Sequence, residues 1–99
     1  MKASLSDEAI ADARAAADSD WYIDQGANDA ANAFFDDIEQ SIRLLERHPR
    51  IGTSGVAGTR SLRLQTFPHS LVYRLTGEDI RVIAVAAHRR RPGYWLGRR

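Results

Sequence analysis

The sequence predicts an α+β domain in which a helical hairpin packs on a small antiparallel sheet. Three features carry that expectation. Apolar residues recur at steps of three and four up to Leu45, as in amphipathic helices. Residues 52–59 then hold three glycines (Gly52, Gly55, Gly58), which mark a loop. Beyond Gly58 the pattern changes to alternation, the signature of strands. With 99 residues the chain is read as a single domain, 1–99.

Lys2 to Leu5 are few and weakly patterned, and they read as a short first strand. Ser6-Asp7-Glu8 opens a helix, with a hydroxyl N-cap followed by acids at the positive end of the helix dipole. Ile10, Ala13, Ala17 and Trp21 fall near one face, which places the helix at about 6–24, with Gln25-Gly26 as its break. Trp21 and Tyr22 read as core and edge of the hairpin. Asn28 or Asp29 caps a second helix, expected at about 28–48. Ala31, Phe34, Ile38, Ile42 and Leu45 form its apolar stripe, and Asp36, Asp37, Glu39 and Arg43 lie mostly off it. Pro49 and Gly52 end it. The short connection between the helices calls for an antiparallel hairpin.

Leu62 and Leu64 alternate with Arg63 and Gln65, which predicts a strand at about 60–67. Pro68-His69-Ser70 reads as a turn, with His69 a turn residue. Leu71, Tyr73 and Leu75 alternate with Val72 and Arg74 in a strand at about 70–76. Gly77-Glu78-Asp79 is a tight connection, and Ile80 to Ala87 is nearly all apolar, as in a strand buried on both faces. These three strands are expected to form an antiparallel meander in sequence order. The tail, 88–99, holds five arginines, His88, Tyr94 and Trp95, and Pro92-Gly93 prevents one continuous helix or strand there.

Composition narrows the functional classes. No apolar run approaches the roughly 18 residues that cross a bilayer, and there is no apolar signal segment at the start. There is no cysteine, which excludes disulfide and thiol chemistry and fits a cytoplasmic location. The net charge of +1 conceals a division. Residues 1–48 carry four basic and eleven acidic residues, net −7, whereas residues 49–99 carry ten arginines against Glu78 and Asp79, net +8. Such asymmetry points to a polyanion or an acidic protein as partner of the basic half. His48, His69 and His88 are dispersed and have no acidic cluster beside them, so no metal site is expected. The glycines of 52–58 lack the Lys-Ser/Thr of a phosphate-binding loop, and no cofactor is expected.

In order and spacing, several segments resemble the RelE/ParE toxin superfamily of type II toxin–antitoxin systems. They are Trp21-Tyr22, His48-Pro49-Arg50-Ile51-Gly52, Arg60-Ser61-Leu62-Arg63-Leu64, Phe67-Pro68-His69-Ser70-Leu71-Val72-Tyr73, and Ile83 to Arg90. The ending Arg91-Pro92-Gly93-Tyr94-Trp95 is similar to that of ParE-like members. The resemblance implies a β-α-α-β-β-β toxin held in a hetero-oligomer by a cognate ParD-like antitoxin. It also implies one of two targets: DNA gyrase, poisoned by binding, or mRNA, cut in the ribosome by RelE-like members.

Cleavage by 2′-OH attack needs a base, a cation for the phosphate and an acid for the leaving oxygen. The resemblance implies basic residues two apart on the first meander strand, where this chain has Ser61 and Arg63, and an arginine where it has Ser70. An alternative nuclease would rely on Arg63, His88, Arg89 and Tyr94. The favoured reading has no catalytic residues. It is a binding toxin whose contacts are Arg89, Arg90, Arg91, Tyr94 and Trp95, supported by Arg60 and Arg74, with direct nucleic-acid contact as a further option. Each has a bland counterpart. Arg63 and Arg74 would cover strand faces with their stems, His88 would be a polar strand end, and Trp95 would fold back on the core. A third reading is a degenerate toxin fold that pairs only with its partner.

Overall fold

The computed structural model describes residues 1–19 and 27–99. Strand β1 (Lys2–Leu5) leads into helix α1 (Asp7–Ser19), and helix α2 (Ala27–Arg47) follows. Then come β2 (Thr53–Ser54), a 3₁₀ turn (Val56–Gly58), β3 (Arg60–Arg63), β4 (His69–Thr76) and β5 (Asp79–Ala87). The five strands form one sheet in the order β1-β5-β4-β3-β2. The meander β3-β4-β5 is antiparallel in sequence order, as expected. The sheet is larger than that meander. β1 adds in parallel to β5, from Lys2 opposite Asp79 to Leu5 opposite Val82, and β2 adds to β3 from within the predicted loop. The expected helix end near 24, the Gln25-Gly26 break and the roles of Trp21 and Tyr22 lie outside the described residues.

Helix α2 buries its predicted stripe, whereas on the predicted face of α1 Ala13 is buried and Ile10 and Ala17 are half-buried. In α2, Phe34, Ile38 and Leu45 are buried and Ile42 is packed beside them. In α1, Ala13 and also Ala9 are buried, small side chains that bring the helix close to the sheet. Both helices cover one face of the sheet, against Leu71, Tyr73, Ile80, Val82 and Val85. Ser6 caps α1 through its Oγ, which accepts the Ala9 N–H at 3.1 Å. Ser6 N–H also donates to Val82 O at 2.9 Å, so the chain leaves the sheet and enters the helix at one residue.

Strand β5 changes parity midway. Tyr73 pairs with Val82 and Val72 with Ala84, which leaves Ile83 as the extra residue of a bulge. Val82 and Val85 therefore share the helix face, while Ile83 and Ala84 join Val72 in a second cluster on the opposite face. The nearly all-apolar run from Ile80 to Ala87, broken only by Arg81, serves both clusters.

Three sequence expectations are corrected here. β3 stops at Arg63 rather than 67, because Asp37 captures the following backbone. Its carboxylate accepts N–H groups from Gln65 (3.2 Å), Thr66 (2.9 Å) and Phe67 (3.4 Å). Asp37 thus belongs to the packed side of α2, at 7% exposure, not to its outer face. His69 is no turn residue: it opens β4, is fully buried, and lies 4.8 Å from the Phe34 ring.

Candidate target-binding surface

The tail begins as a turn. Arg90 N–H donates to Ala87 O at 2.9 Å, and Arg89, Arg90 and Arg91 are all exposed on it. Three further turns follow, closed by Tyr94 N–H to Arg91 O, Leu96 N–H to Gly93 O and Arg98 N–H to Trp95 O. Gly93 holds φ of +78°, which glycine adopts without a Cβ penalty. The chain therefore doubles back over the sheet. Trp95 ends half-buried against the cluster of Val72, Ile83 and Ala84.

A hub on α1 holds this arrangement. Beyond Val82, β5 has no neighbouring strand on its β1 side, and its edge is covered instead by Asp12, Tyr94 and Arg98. The Asp12 carboxylate accepts Val85 N–H at 3.1 Å and Tyr94 O–H at 3.0 Å. Arg98 reaches the same carboxylate with Nη1 at 2.7 Å and Nη2 at 3.3 Å. Arg98 Nη1 also donates to Ile83 O at 3.1 Å, which satisfies the carbonyl of the bulge residue. Burial, followed by the negative charge of Asp12 and the hydrogen bond to it, pushes the Tyr94 phenol from 10.0 up to about 12. Tyr94 therefore stays protonated and remains a donor. The hydrogen bond to Asp12 likewise raises the Arg98 pKa.

The Tyr94 ring is approached by two guanidinium groups, Arg90 at 4.1 Å and Arg98 at 5.1 Å from its centroid. Arg90 is thus propped on a tyrosine that is itself bonded to α1. A small cavity of about 170 Å³ lies at the base of the turn, lined by Asp12, His69, Ala87, Arg89 and Arg90 among others.

The structure unites Arg89, Arg90, Arg91 and Tyr94 and turns Trp95 inward. Arg60 and Arg74 serve the fold elsewhere. Arg60 Nη1 donates to Arg50 O (3.2 Å) and Gly52 O (2.9 Å). Arg74 donates to Ala57 O (3.3 Å) and Arg98 O (2.5 Å), tying the 3₁₀ turn to the tail.

The alternative nuclease set is divided. Ser61, Arg63, Ser70 and His88 do line one open cleft of about 640 Å³, with Ile51 and Thr53. His88 Nε2 lies 2.8 Å from Ser70 Oγ there. Arg89 and Tyr94, however, stand on the Asp12 side. Among the described residues, no three His, Cys, Asp or Glu side chains gather to hold a metal ion. No helix among them is long and apolar enough to cross a membrane.

Sequence reasoning missed Asp12. Its signal is positional: an acid three residues after Ala9 and four before Ala16 lies beside the packed face of α1 and needs a partner there.

Comparison with known proteins places these features in context. The model of the family described as ParE toxin of type II toxin–antitoxin system, parDE, matches residues 4–92. Among solved structures the chain is similar to the chromosomal ParDE toxin–antitoxin system from P. aeruginosa, with a TM-score of 0.73 and 27% identity. That likeness covers 88% of this chain and 95% of the other. No curated protein sequence matches significantly.

Proposed function

The chain belongs to the ParE toxin family of type II toxin–antitoxin systems, and on that premise we propose that it acts by binding DNA gyrase in the cytoplasm and is neutralised by a ParD-like antitoxin. The observation that carries a binding mechanism is the arginine turn. Arg89, Arg90 and Arg91 are exposed in a row, and Arg90 is stacked on a Tyr94 that Asp12 fixes. Propping Arg90 on that ring lowers the entropy lost when it engages a partner. For the antitoxin, a cleft of about 680 Å³ offers Met1, Ile51 and Leu75 beside Arg47 and Arg50. That mixture suits an acidic amphipathic segment that folds as it binds.

The test is a supercoiling assay with purified gyrase. The toxin should inhibit it, the antitoxin should restore it, and replacing Arg89, Arg90 and Arg91 together by Ala should abolish inhibition while the fold and antitoxin binding persist. A fully active triple variant would refute the assignment of this turn.

One observation favours the second reading, cleavage of mRNA on the ribosome: Arg63, His88 and Ser70 share a cleft. Yet a phosphoryl-transfer site loses about 10²–10³ in rate for each missing charge-stabilising donor, and this cleft has serines at Ser61 and Ser70. Expected is the absence of ribosome-dependent cuts by the pure protein and unchanged toxicity in His88→Ala. Cuts in ribosomal A sites that vanish in that variant would establish the nuclease instead.

A further inference from the structure

A second basic surface lies away from the arginine turn, across the β1 side of the sheet. Pairing places two rows of residues over three adjacent strands. One row is Ser4, Arg81 and Arg74, on β1, β5 and β4. The next is Lys2, Asp79 and Thr76. All six line one cleft of about 880 Å³, which Arg98 and Arg99 also border.

The charges of this cleft are not balanced internally. Arg98 is neutralised by Asp12 at 2.7 Å. Arg81 and Arg74 instead donate to uncharged oxygens, Ser4 Oγ at 3.2 Å and the carbonyls of Ala57 and Arg98. Neither meets a carboxylate in these contacts. They are also direct cross-strand partners, and like charges directly opposite each other destabilise a sheet. With strands about 4.8 Å apart, their backbones hold two cations side by side, with Lys2 one strand further out. Asp79 is the one acidic side chain lining the cleft among the described residues. An anion laid across these rows would remove the repulsion.

The lining also indicates which anion. Arg, Lys, Ser and Thr side chains are the usual donors to phosphate oxygens. A protein partner generally needs apolar or aromatic anchors. The exposed large apolar residues Met1, Phe35, Ile51, Val56 and Leu96 all lie outside this lining. We propose that Lys2, Arg74 and Arg81, with the hydroxyls of Ser4 and Thr76, form a binding site for the phosphodiester backbone of nucleic acid. The site contains none of the arginine turn, and of the gyrase contacts expected from the sequence it shares Arg74 alone. It lies at the opposite end of β4 from Ser70, and so apart from the cleft that holds His88.

The test is fluorescence anisotropy of a short labelled DNA duplex with the full chain, between about 50 and 200 mM salt. Each phosphate contact contributes a counterion term that varies as salt to the power of about −0.9, roughly eightfold at 0.1 M. Arg81→Gln and Lys2→Gln should each weaken binding about eightfold and reduce the salt slope by about 0.9. Arg14→Gln, an equal change of charge on an exposed position of α1, should leave both unchanged. Arg81→Gln relieves the cross-strand repulsion, so its Tm should hold or rise, whereas a purely structural arginine would lower it. Lys2→Gln tests the same site from an exposed position without altering the Arg74 pair. Wild-type affinity and slope in both variants would overturn the proposal. So would a loss seen with a poly-glutamate peptide but not with DNA, which would make this an acidic-protein surface.

Discussion

Asp12→Ala removes the acceptor on which the tail converges. The carboxylate takes the Val85 N–H, the Tyr94 hydroxyl and both terminal nitrogens of Arg98. The ion pair is sheltered, with Asp12 11% and Arg98 19% exposed. Breaking a buried pair by deleting one partner costs about 3–5 kcal/mol, and residual solvent access places this one near the lower bound, about 3 kcal/mol. A domain of this size shifts by about 4–8 °C per kcal/mol, so the Tm should fall by about 12–24 °C. Thermal circular dichroism reads that fall directly. Hydrogen exchange supplies a local readout, because the Val85 amide should lose protection ahead of the rest of β5. In a double-mutant cycle, Arg98→Ala should add little once Asp12 is gone. A Tm loss below about 4 °C, with Val85 still protected, would show that Asp12 does not hold the tail.

The Tyr94 phenol provides a pH signature. Its pKa is raised in the folded state, so its contribution to stability is complete below pH 10.0 and is lost as pH climbs toward about 12. Alkaline titration followed by tyrosinate absorbance should show a late component that is lost in Tyr94→Phe, and a titration identical in the two proteins would contradict the hub. Gly52→Ala tests the close approach behind β4. An added Cβ would stand 2.6 Å from Tyr73 Oη and 2.9 Å from Ser61 O, while that hydroxyl accepts Gly52 N–H at 3.0 Å and donates to Pro49 O at 2.8 Å. Overpacking of this kind costs about 2 kcal/mol, which thermal melting should register as a fall of roughly 10 °C; an unchanged Tm would mean that the loop moves aside freely.

Most of the fold was legible because it rests on local periodicity. The stripe from Phe34 to Leu45 and the alternation of Leu71, Tyr73 and Leu75 define faces that any compact packing must bury. The parallel pairing of β1 was not legible. Four residues hold too little pattern to choose an edge, and that choice is made by Ser6, which bonds to Val82 while capping α1. The bulge at Ile83 was hidden for the opposite reason: a strand apolar on both faces shows no change of parity. In the site, the exposed arginine run stands out by composition. The folding back of Trp95 was one of the two readings its apolar ring offered, whereas the roles of Arg60 and Arg74 depend on contacts across 8–24 residues of sequence, which no local pattern encodes.

The acidic character of the first half has a structural explanation that composition alone did not give. Three of its acids meet backbone N–H groups of the sheet or of the loop that leaves it. Glu46 accepts Ala3 N–H at 2.9 Å on β1, an edge strand. Asp12 accepts Val85 N–H where β5 outruns β1. Asp37 gathers the amides of Gln65, Thr66 and Phe67 where β3 ends. A small sheet with short edge strands leaves such donors open, and an open edge invites pairing with another chain. Helix-borne carboxylates close them from within the same domain. A carboxylate that accepts a backbone N–H keeps its charge and its remaining acceptor sites, and can still pair with an arginine. Of these three, Asp12 alone also binds one, Arg98. Much of the +8 charge of the second half is thereby left facing outward, where the arginine turn and the β1-side cleft present it to anionic partners.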